Sequence, residues 1–178
     1  MMRRASLGLM LLLIAAPAAA ANLSIQAFAG VWQGNAVSES DISVHFQLTS
    51  RDIDVTVRPA ADGGFDITWN TVQRQKGDPD NPREKLKSTS MSFAAQRPGV
   101  WRSSGNGDPL NSQAPFAWAY VKDRTLTINS LRIYADGRHE LQVYHRTLSG
   151  TGMALRFIRT VEGEQVRRAT GRLIKVAK

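Results

Sequence analysis

The sequence predicts an all-β protein, an antiparallel up-and-down barrel of about eight to ten strands. Three observations support this class. Apolar and polar residues alternate with a period of two, as at Ile53, Val55 and Val57. Glycine-containing turns separate the alternating runs. No stretch carries apolar residues at the 3.6-residue spacing of an amphipathic helix, so helix is expected to be a minor component.

Short turns join these strands to their neighbours in the sequence. Asp136-Gly137 and Glu162-Gly163 each lie between two alternating runs. An X-Gly pair in that position is typical of a β-hairpin, because glycine accepts the positive φ of a tight turn. Strands that are connected in order and have one apolar face either close into a barrel or pack face to face. A barrel removes exposed edges and is preferred, and a β-sandwich is the alternative.

The alternation changes phase at one point. The even-numbered residues from Ile42 to Leu48 are apolar, whereas from Ile53 onward the odd-numbered residues are apolar. A shift of one residue exchanges the two faces of a strand. We therefore expect a bend or β-bulge near Thr49–Arg51 that keeps one apolar face turned inward.

The beginning of the chain has the three parts of a secretory signal. Arg3 and Arg4 precede an apolar run centred on Leu9–Ile14, and small residues follow as far as Ala21. This run is too short for the ~20 apolar residues that span a bilayer. We therefore expect residues 1–21 to be a signal peptide and residues 22–178 to be one β domain. The absence of cysteine favours a periplasmic location, with secretion as the alternative.

Positive charge is concentrated in the last third of the chain. Residues 22–123 contain 10 basic and 11 acidic side chains, a net charge of −1, whereas residues 124–178 contain 11 basic and 4 acidic ones, a net charge of +7. Such a surface suits anionic lipid or an acidic protein partner. We expect no nucleic-acid partner, because an exported protein rarely meets nucleic acid.

Gly30 and Trp32 form a Gly-x-Trp element at the entry to the first strand. In this element the chain resembles the lipocalins and the wider calycin group. The resemblance implies a β-barrel that binds a ligand and a tryptophan that closes one end of it. It also implies that this tryptophan packs against an arginine late in the chain, here Arg168 or Arg172. A cation over the face of an indole ring gives that pairing a physical basis.

Aromatic residues on apolar strand faces indicate an internal pocket. Trp69 shares a face with Phe65, and Trp118 shares a face with Tyr120. Barrels of this size hold either side chains or one small ligand, and pockets for apolar molecules are lined by aromatic residues with a few polar anchors. We therefore expect Trp69, Trp118 and Tyr120 to line a ligand pocket, with a core filled by side chains as the alternative.

Arginines are candidates for the polar anchor of that pocket. Arg159 shares parity with Phe157 and Val161, which predicts an inward side chain. A buried guanidinium requires either an internal carboxylate or an anionic group of a ligand. Arg132 and Tyr134 form an Arg-x-Tyr arrangement, which is similar to the carboxylate clamp of fatty-acid-binding proteins.

The sequence contains no catalytic or metal-binding motif. The histidines lack the spacing of metal ligands, and no Gly-x-Ser-x-Gly element is present. His145 shares parity with Leu141 and Val143, which predicts a position in the interior or at its rim. We therefore expect a non-enzymatic protein without catalytic residues, metal or cofactor.

Two functions are compatible with these features. The first is a periplasmic calycin-like protein that binds a small hydrophobic or amphipathic molecule, including one with an anionic group. The second is an envelope interaction protein, whose barrel is filled and whose basic surface docks on an envelope protein or on anionic lipid. The barrel interior distinguishes them, because only the first requires a cavity.

Overall fold

A computed structural model describes residues 22–42, 48–74, 84–105, 108–111 and 114–177, so the predicted signal peptide lies outside the described residues. The described part consists of one short 3₁₀ helix and ten strands. The 3₁₀ helix covers Ile25–Phe28, and the strands are β1 (Gly30–Ser40), β2 (Leu48–Pro59), β3 (Phe65–Arg74), β4 (Glu84–Arg97), β5 (Val100–Ser103), β6 (Phe116–Lys122), β7 (Thr125–Ile133), β8 (His139–Ser149), β9 (Gly152–Val161) and β10 (Glu164–Ala177). In this part of the chain no helix has the length and apolar character needed to cross a membrane.

The strands form one closed antiparallel barrel. Each strand pairs with its neighbours in the sequence, and β1 also pairs with β10, so that the order around the barrel is β1-β10-β9-β8-β7-β6-β5-β4-β3-β2. The predicted up-and-down barrel is confirmed, and the alternative of a β-sandwich is excluded. The pairing of β1 with β10 joins the first and last strands and so closes the sheet.

The X-Gly pairs form turns as predicted. Glu162 and Gly163 connect β9 to β10 with φ angles of 53° and 83°. Positive φ at both central residues is the requirement of the tight primed turn that fits the twist of two paired strands. Gly137, between β7 and β8, has a φ of 84°.

The bulge expected near Thr49–Arg51 does not occur. Strand β2 pairs with β1 over this stretch without a shift of register. Two of the apolar residues that suggested the bulge lie outside the core, since Ile42 is 61% exposed in a turn and Leu48 is 62% exposed at the start of β2. The other two, Val44 and Phe46, lie outside the described residues.

The interior is divided along the barrel axis into two halves. The closed half is the end next to the 3₁₀ helix, and a continuous apolar core fills it, with Phe28, Val57, Phe65, Ile67, Phe93, Trp101, Leu126, Ile128, Met153 and Leu173 among its members. Phe28 is fully buried, and its carbonyl oxygen accepts a hydrogen bond of 2.9 Å from Trp32 Nε1. The 3₁₀ helix therefore caps this end.

A lysine, not the predicted arginine, covers the closing tryptophan. Lys175 lies directly opposite Trp32 in the β1–β10 ladder, and its Nζ is 5.4 Å from the centre of the Trp32 ring. Arg168 instead donates a 2.6 Å hydrogen bond to Glu39, and Arg172 is exposed. The predicted partners are wrong because even-numbered residues of β10 face outward there, while odd-numbered ones face inward.

Candidate functional site

A cavity of about 420 Å³ occupies the other half of the barrel, which we call the open half. Small side chains on β1 and β10, namely Ala36, Ser38 and Ala169, leave this space on one side. Its volume falls in the range of roughly 300–1,000 Å³ that is usual for ligand pockets. The alternative of a barrel filled by side chains therefore describes the closed half alone.

Three aromatic rings from β3, β8 and β9 contact one another across the barrel and form one boundary of the cavity, which we call the aromatic wall. Tyr144 lies between Trp69 and Phe157, with ring centres 5.0 Å and 4.8 Å away. All three line the cavity. Tilted aromatic contacts of this kind hold the rings in place. Trp69 thus lies where the parity of β3 placed it, and its part in ligand binding remains a prediction.

Trp118 and Tyr120 lie outside the barrel. They alternate with Ala117, Ala119 and Val121, which are buried, and neither lines the cavity. Their predicted inward position is wrong because space inside β6 is already occupied. The residue paired with Ala119 is Trp101, whose buried ring belongs to the apolar core. A second large ring cannot occupy the same volume in a closely packed interior.

A hydrogen-bonded network around one carboxylate forms the second wall. Glu140 is almost fully buried and accepts hydrogen bonds from Arg159 Nη2 at 2.6 Å and from the Tyr134 hydroxyl at 2.9 Å. Gln142 Nε2 donates a third bond, and the Tyr144 hydroxyl donates in turn to Gln142. Of the two partners that the sequence left open for Arg159, the internal carboxylate is therefore present.

This network keeps Glu140 ionised. Burial by itself raises the pKa of a carboxyl group, but the hydrogen bonds from Arg159, Gln142 and Tyr134 outweigh it and lower the pKa of Glu140 to about 2. The hydrogen bond to Glu140 also raises the pKa of Arg159. Arg159 and Glu140 neutralise each other, so Arg159 is not a free cationic anchor.

Arg146 is a buried cation without a carboxylate partner. Its side chain is 2% exposed, and its guanidinium lies 5.0 Å from the ring centre of Trp69 and 5.6 Å from that of Tyr144. Nε and Nη1 of Arg146 have no hydrogen-bond partner among the described residues. Burial lowers the pKa of Arg146 to about 10. The aromatic faces stabilise this cation in part, since a desolvated cation–π contact contributes about 2 kcal/mol.

Arg51 on β2 and Arg167 on β10 add two further cations to the lining of the cavity. Their Nε atoms are buried and lack a hydrogen-bond partner within the described ranges. Burial, and then the charge of Arg167, lower the pKa of Arg51. That electrostatic effect indicates that the two guanidinium groups face a common space.

The cavity as a whole is strongly cationic. The residues that line it include seven arginines or lysines and a single acidic residue, Glu140, with Arg132 exposed at the rim. Like charges focused in a low-dielectric cleft attract a ligand of opposite sign. The geometry is therefore suited to an anion with an apolar or aromatic part.

His145 is half-buried and lies among the residues that line the cavity, which agrees with its predicted position at the rim. Its Nδ1 is 3.1 Å from the hydroxyl of Thr127, and burial and the charge of Arg156 lower its pKa. On β8 the most deeply buried residues are those of the other parity, Glu140 and Arg146. No group of His, Asp or Glu side chains in the described stretches could hold a metal ion.

Sequence reasoning missed the three cations without carboxylate partners. Arg51 shares parity with Ile53, Val55 and Val57, and this signal was sufficient to predict an inward side chain. Arg167 similarly shares parity with Leu173. For Arg146 the signal was ambiguous, because both faces of β8 carry apolar or aromatic residues.

No protein-family model matches the chain, and no curated protein matches it. A solved structure to which it is similar is that of the S-type phycobiliprotein lyase CPES from Guillardia theta. The sequences are 11% identical, the TM-score is 0.39, and the match covers 88% of this chain and 94% of the lyase chain. The name of this neighbour is that of an enzyme, and the expectation of a non-enzymatic protein is therefore not retained. A likeness of this size carries no evidence of catalysis in this chain.

Proposed function

We propose that the barrel binds a small amphipathic molecule in its open half, with an anionic group of that molecule near Arg146. The observation that carries this proposal is a buried guanidinium that lines the cavity without a carboxylate partner. Taking a charge out of water is costly unless a countercharge accompanies it. A ligand anion supplies that countercharge.

The aromatic wall supports the amphipathic part of the proposal. Trp69, Tyr144 and Phe157 present ring surface to the same cavity that Arg146 lines. Apolar or aromatic ligand atoms gain burial against these rings, at roughly 25 cal/mol per Å² of apolar surface removed from water. The charged group then determines orientation and the rings contribute affinity.

Titration calorimetry with three probes tests the proposal. 1-Naphthoate combines a ring with a carboxylate, 1-naphthalenemethanol is its neutral analogue, and decanoate replaces the ring with a chain. We expect 1-naphthoate to bind, and we expect Arg146→Met to weaken it by about ten- to a hundredfold, because a hydrogen bond to a charged group contributes roughly 1.5–3 kcal/mol. The neutral alcohol should lose less than about threefold.

Arg172→Met is the matched control, since it removes the same charge from the outer face of β10, where the side chain is exposed. It should leave all affinities unchanged. If neither anionic probe binds the protein, the proposal is wrong. If Arg146→Met weakens the acid and the alcohol equally, the cavity binds ligands but Arg146 does not recognise their charge.

We further propose that the chain is an exported, calycin-like protein. The positive, apolar and small-residue segments of residues 1–21 support export, and the Gly30-x-Trp32 element at the start of a closed up-and-down barrel supports the calycin-like description. Mass determination of protein recovered from a bacterial periplasm should give a chain that begins near Asn22. Recovery of the full-length chain from the membrane fraction would contradict export.

A further inference from the structure

Two arginines line the cavity from β2 and β10, the two strands that flank β1. Arg51 on β2 pairs with Ala36 of β1, and Arg167 on β10 pairs with Ser40 of the same strand. Ala36, Ser38 and Ser40 of β1 are all buried. Both long side chains therefore project over a floor of small residues, of which Ser38 lies between the two paired positions.

This pair of cations has no countercharge within the described part of the chain. No ion pair is formed by Arg51 or Arg167 there, whereas the nearby acids are engaged elsewhere: Glu140 binds Arg159, and Glu39 binds Arg168 on the outer face. The hydroxyl of Ser40, which is 6% exposed, also lacks a hydrogen-bond partner there. Two repelling cations thus line the cavity, and the unsatisfied hydroxyl of Ser40 lies beside it, on β1 opposite Arg167.

A ligand group with more than one negative charge would balance this wall. A carboxylate supplies one charge, whereas a phosphate monoester carries about −1.5 to −2 at neutral pH and offers three acceptor oxygens. Guanidinium groups bind such oxygens through pairs of parallel N–H donors. Arg51 and Arg167 therefore suit a phosphate monoester in charge and in the type of donor that they offer.

We propose that Arg51 and Arg167, with the hydroxyl of Ser40, form a phosphate subsite, so that the ligand of the barrel is a phosphate monoester with an apolar or aromatic body. This inference rests on the proposed ligand-binding function and adds the class of the ligand. The phosphate lies against strands β10, β1 and β2, and the body of the ligand extends towards the rings of Trp69 and Tyr144. The group of the same ligand that meets Arg146 is then a second anionic group.

Calorimetric titration of the purified protein with 1-naphthyl phosphate, 1-naphthoate and inorganic phosphate tests the subsite. We expect 1-naphthyl phosphate to bind at least about tenfold more tightly than 1-naphthoate, since it adds charge-assisted contacts. The double variant Arg51→Gln/Arg167→Gln should weaken 1-naphthyl phosphate by about a hundredfold. It should change the affinity for 1-naphthoate by less than about threefold.

The matched control is Arg58→Gln/Arg172→Gln, which removes two exposed arginines from the same two strands, β2 and β10. It should leave the affinity for 1-naphthyl phosphate unchanged, which distinguishes a local site from the effect of the overall positive charge.

Thermal unfolding checks that the double variant Arg51→Gln/Arg167→Gln is folded. Because two repelling cations are removed, the midpoint of the unliganded double variant should stay the same or rise. Competition by inorganic phosphate at similar concentration would identify free phosphate, rather than an ester, as the species recognised.

The outcomes distinguish the two proposals. If 1-naphthoate binds but 1-naphthyl phosphate binds no more tightly, or if the double variant retains full affinity for the ester, the phosphate subsite is wrong and ligand binding stands. If the control variant weakens the ester as much as the double variant does, the effect is a surface field and the subsite is again wrong. If none of 1-naphthyl phosphate, 1-naphthoate and decanoate binds, both proposals fail.

Discussion

The two halves of the barrel interior differ in chemistry although the same sheet encloses both. In the closed half, Phe65 stacks on Phe93 with ring centres 4.8 Å apart and meets the edge of Trp101 at 5.3 Å. In the open half, equivalent inward positions hold Arg146 and Glu140 around a cavity of about 420 Å³. Close packing stabilises the first half, whereas the second retains unpaired charge that costs stability. The difference places the packing that stabilises the barrel at one end and the charged cavity of the proposed binding site at the other, in line with a trade-off between stability and function.

The largest expected loss of stability is caused by a substitution in the closed half. Phe65→Ala should lower the free energy of unfolding by about 3–5 kcal/mol, because it removes a fully buried ring and leaves a cavity among rigid neighbours. Urea denaturation measures this change. Phe116→Ala, on the half-buried outer face of β6, is the control and should cost much less. Equal losses would show that the closed half is not the main source of stability.

The Glu140 network should make stability depend on pH. The pKa of Glu140 is about 2 in the folded protein and 4.5 ordinarily, so the folded state binds its proton less tightly than the unfolded state does. Its contribution is therefore complete above about pH 4.5 and is lost as the pH falls towards 2. Urea denaturation at a series of pH values should show this loss.

Glu140→Gln is the matched control for that series. At neutral pH it should lower the free energy of unfolding by about 1–3 kcal/mol, because Arg159 loses its charged partner. It should also flatten the dependence between pH 4.5 and 2. An unchanged slope in this variant would assign the acid sensitivity to other carboxyl groups.

A substitution of Arg146 is expected to raise the free energy of unfolding, in contrast to the changes above. Arg146→Met should raise the free energy of unfolding by about 1 kcal/mol, because removal of a buried charge without a carboxylate partner outweighs the loss of its contacts with Trp69 and Tyr144. Thermal and urea unfolding without ligand measure the change. A clear loss of stability would indicate that Arg146 is a structural residue, and the contrast between the two halves would then be weaker.

The smallest change in stability is expected at Trp32 and Lys175, the pair at the closed end of the barrel. Lys175→Met should lower the free energy of unfolding by about 0.5–1 kcal/mol, the contribution of an exposed cation over an aromatic ring. Lys122→Met, which alters an exposed lysine at the end of β6, should leave stability unchanged. A loss of stability well above 1 kcal/mol would mean that the contact between Lys175 and Trp32 contributes more to the free energy of unfolding than an exposed cation over a ring does.

Local patterns were sufficient to predict the barrel. Alternation such as that of Ile53, Val55 and Val57 indicates that one face of a strand is buried, and the Glu162-Gly163 pair indicates a tight turn. Both properties depend on a few adjacent residues, because the period of two and the φ preference of glycine act within one strand or one turn. A succession of such strands in sequence order leaves few arrangements other than a closed meander.

Only the tertiary structure determined which residues meet inside the barrel. Trp118 faces outward because Trp101, on the adjacent strand β5, fills the space over Ala119. Arg159 meets Glu140 through the β8–β9 register, and Arg51 and Arg167 share a cavity because β10 closes on β1. These pairings join residues that are distant in the sequence, and their outcome depends on side-chain volume and charge across the barrel. The pattern within a single strand does not show which side chains meet across the barrel. The sequence therefore predicted the fold class, whereas the residues of the site could be identified only from the tertiary structure.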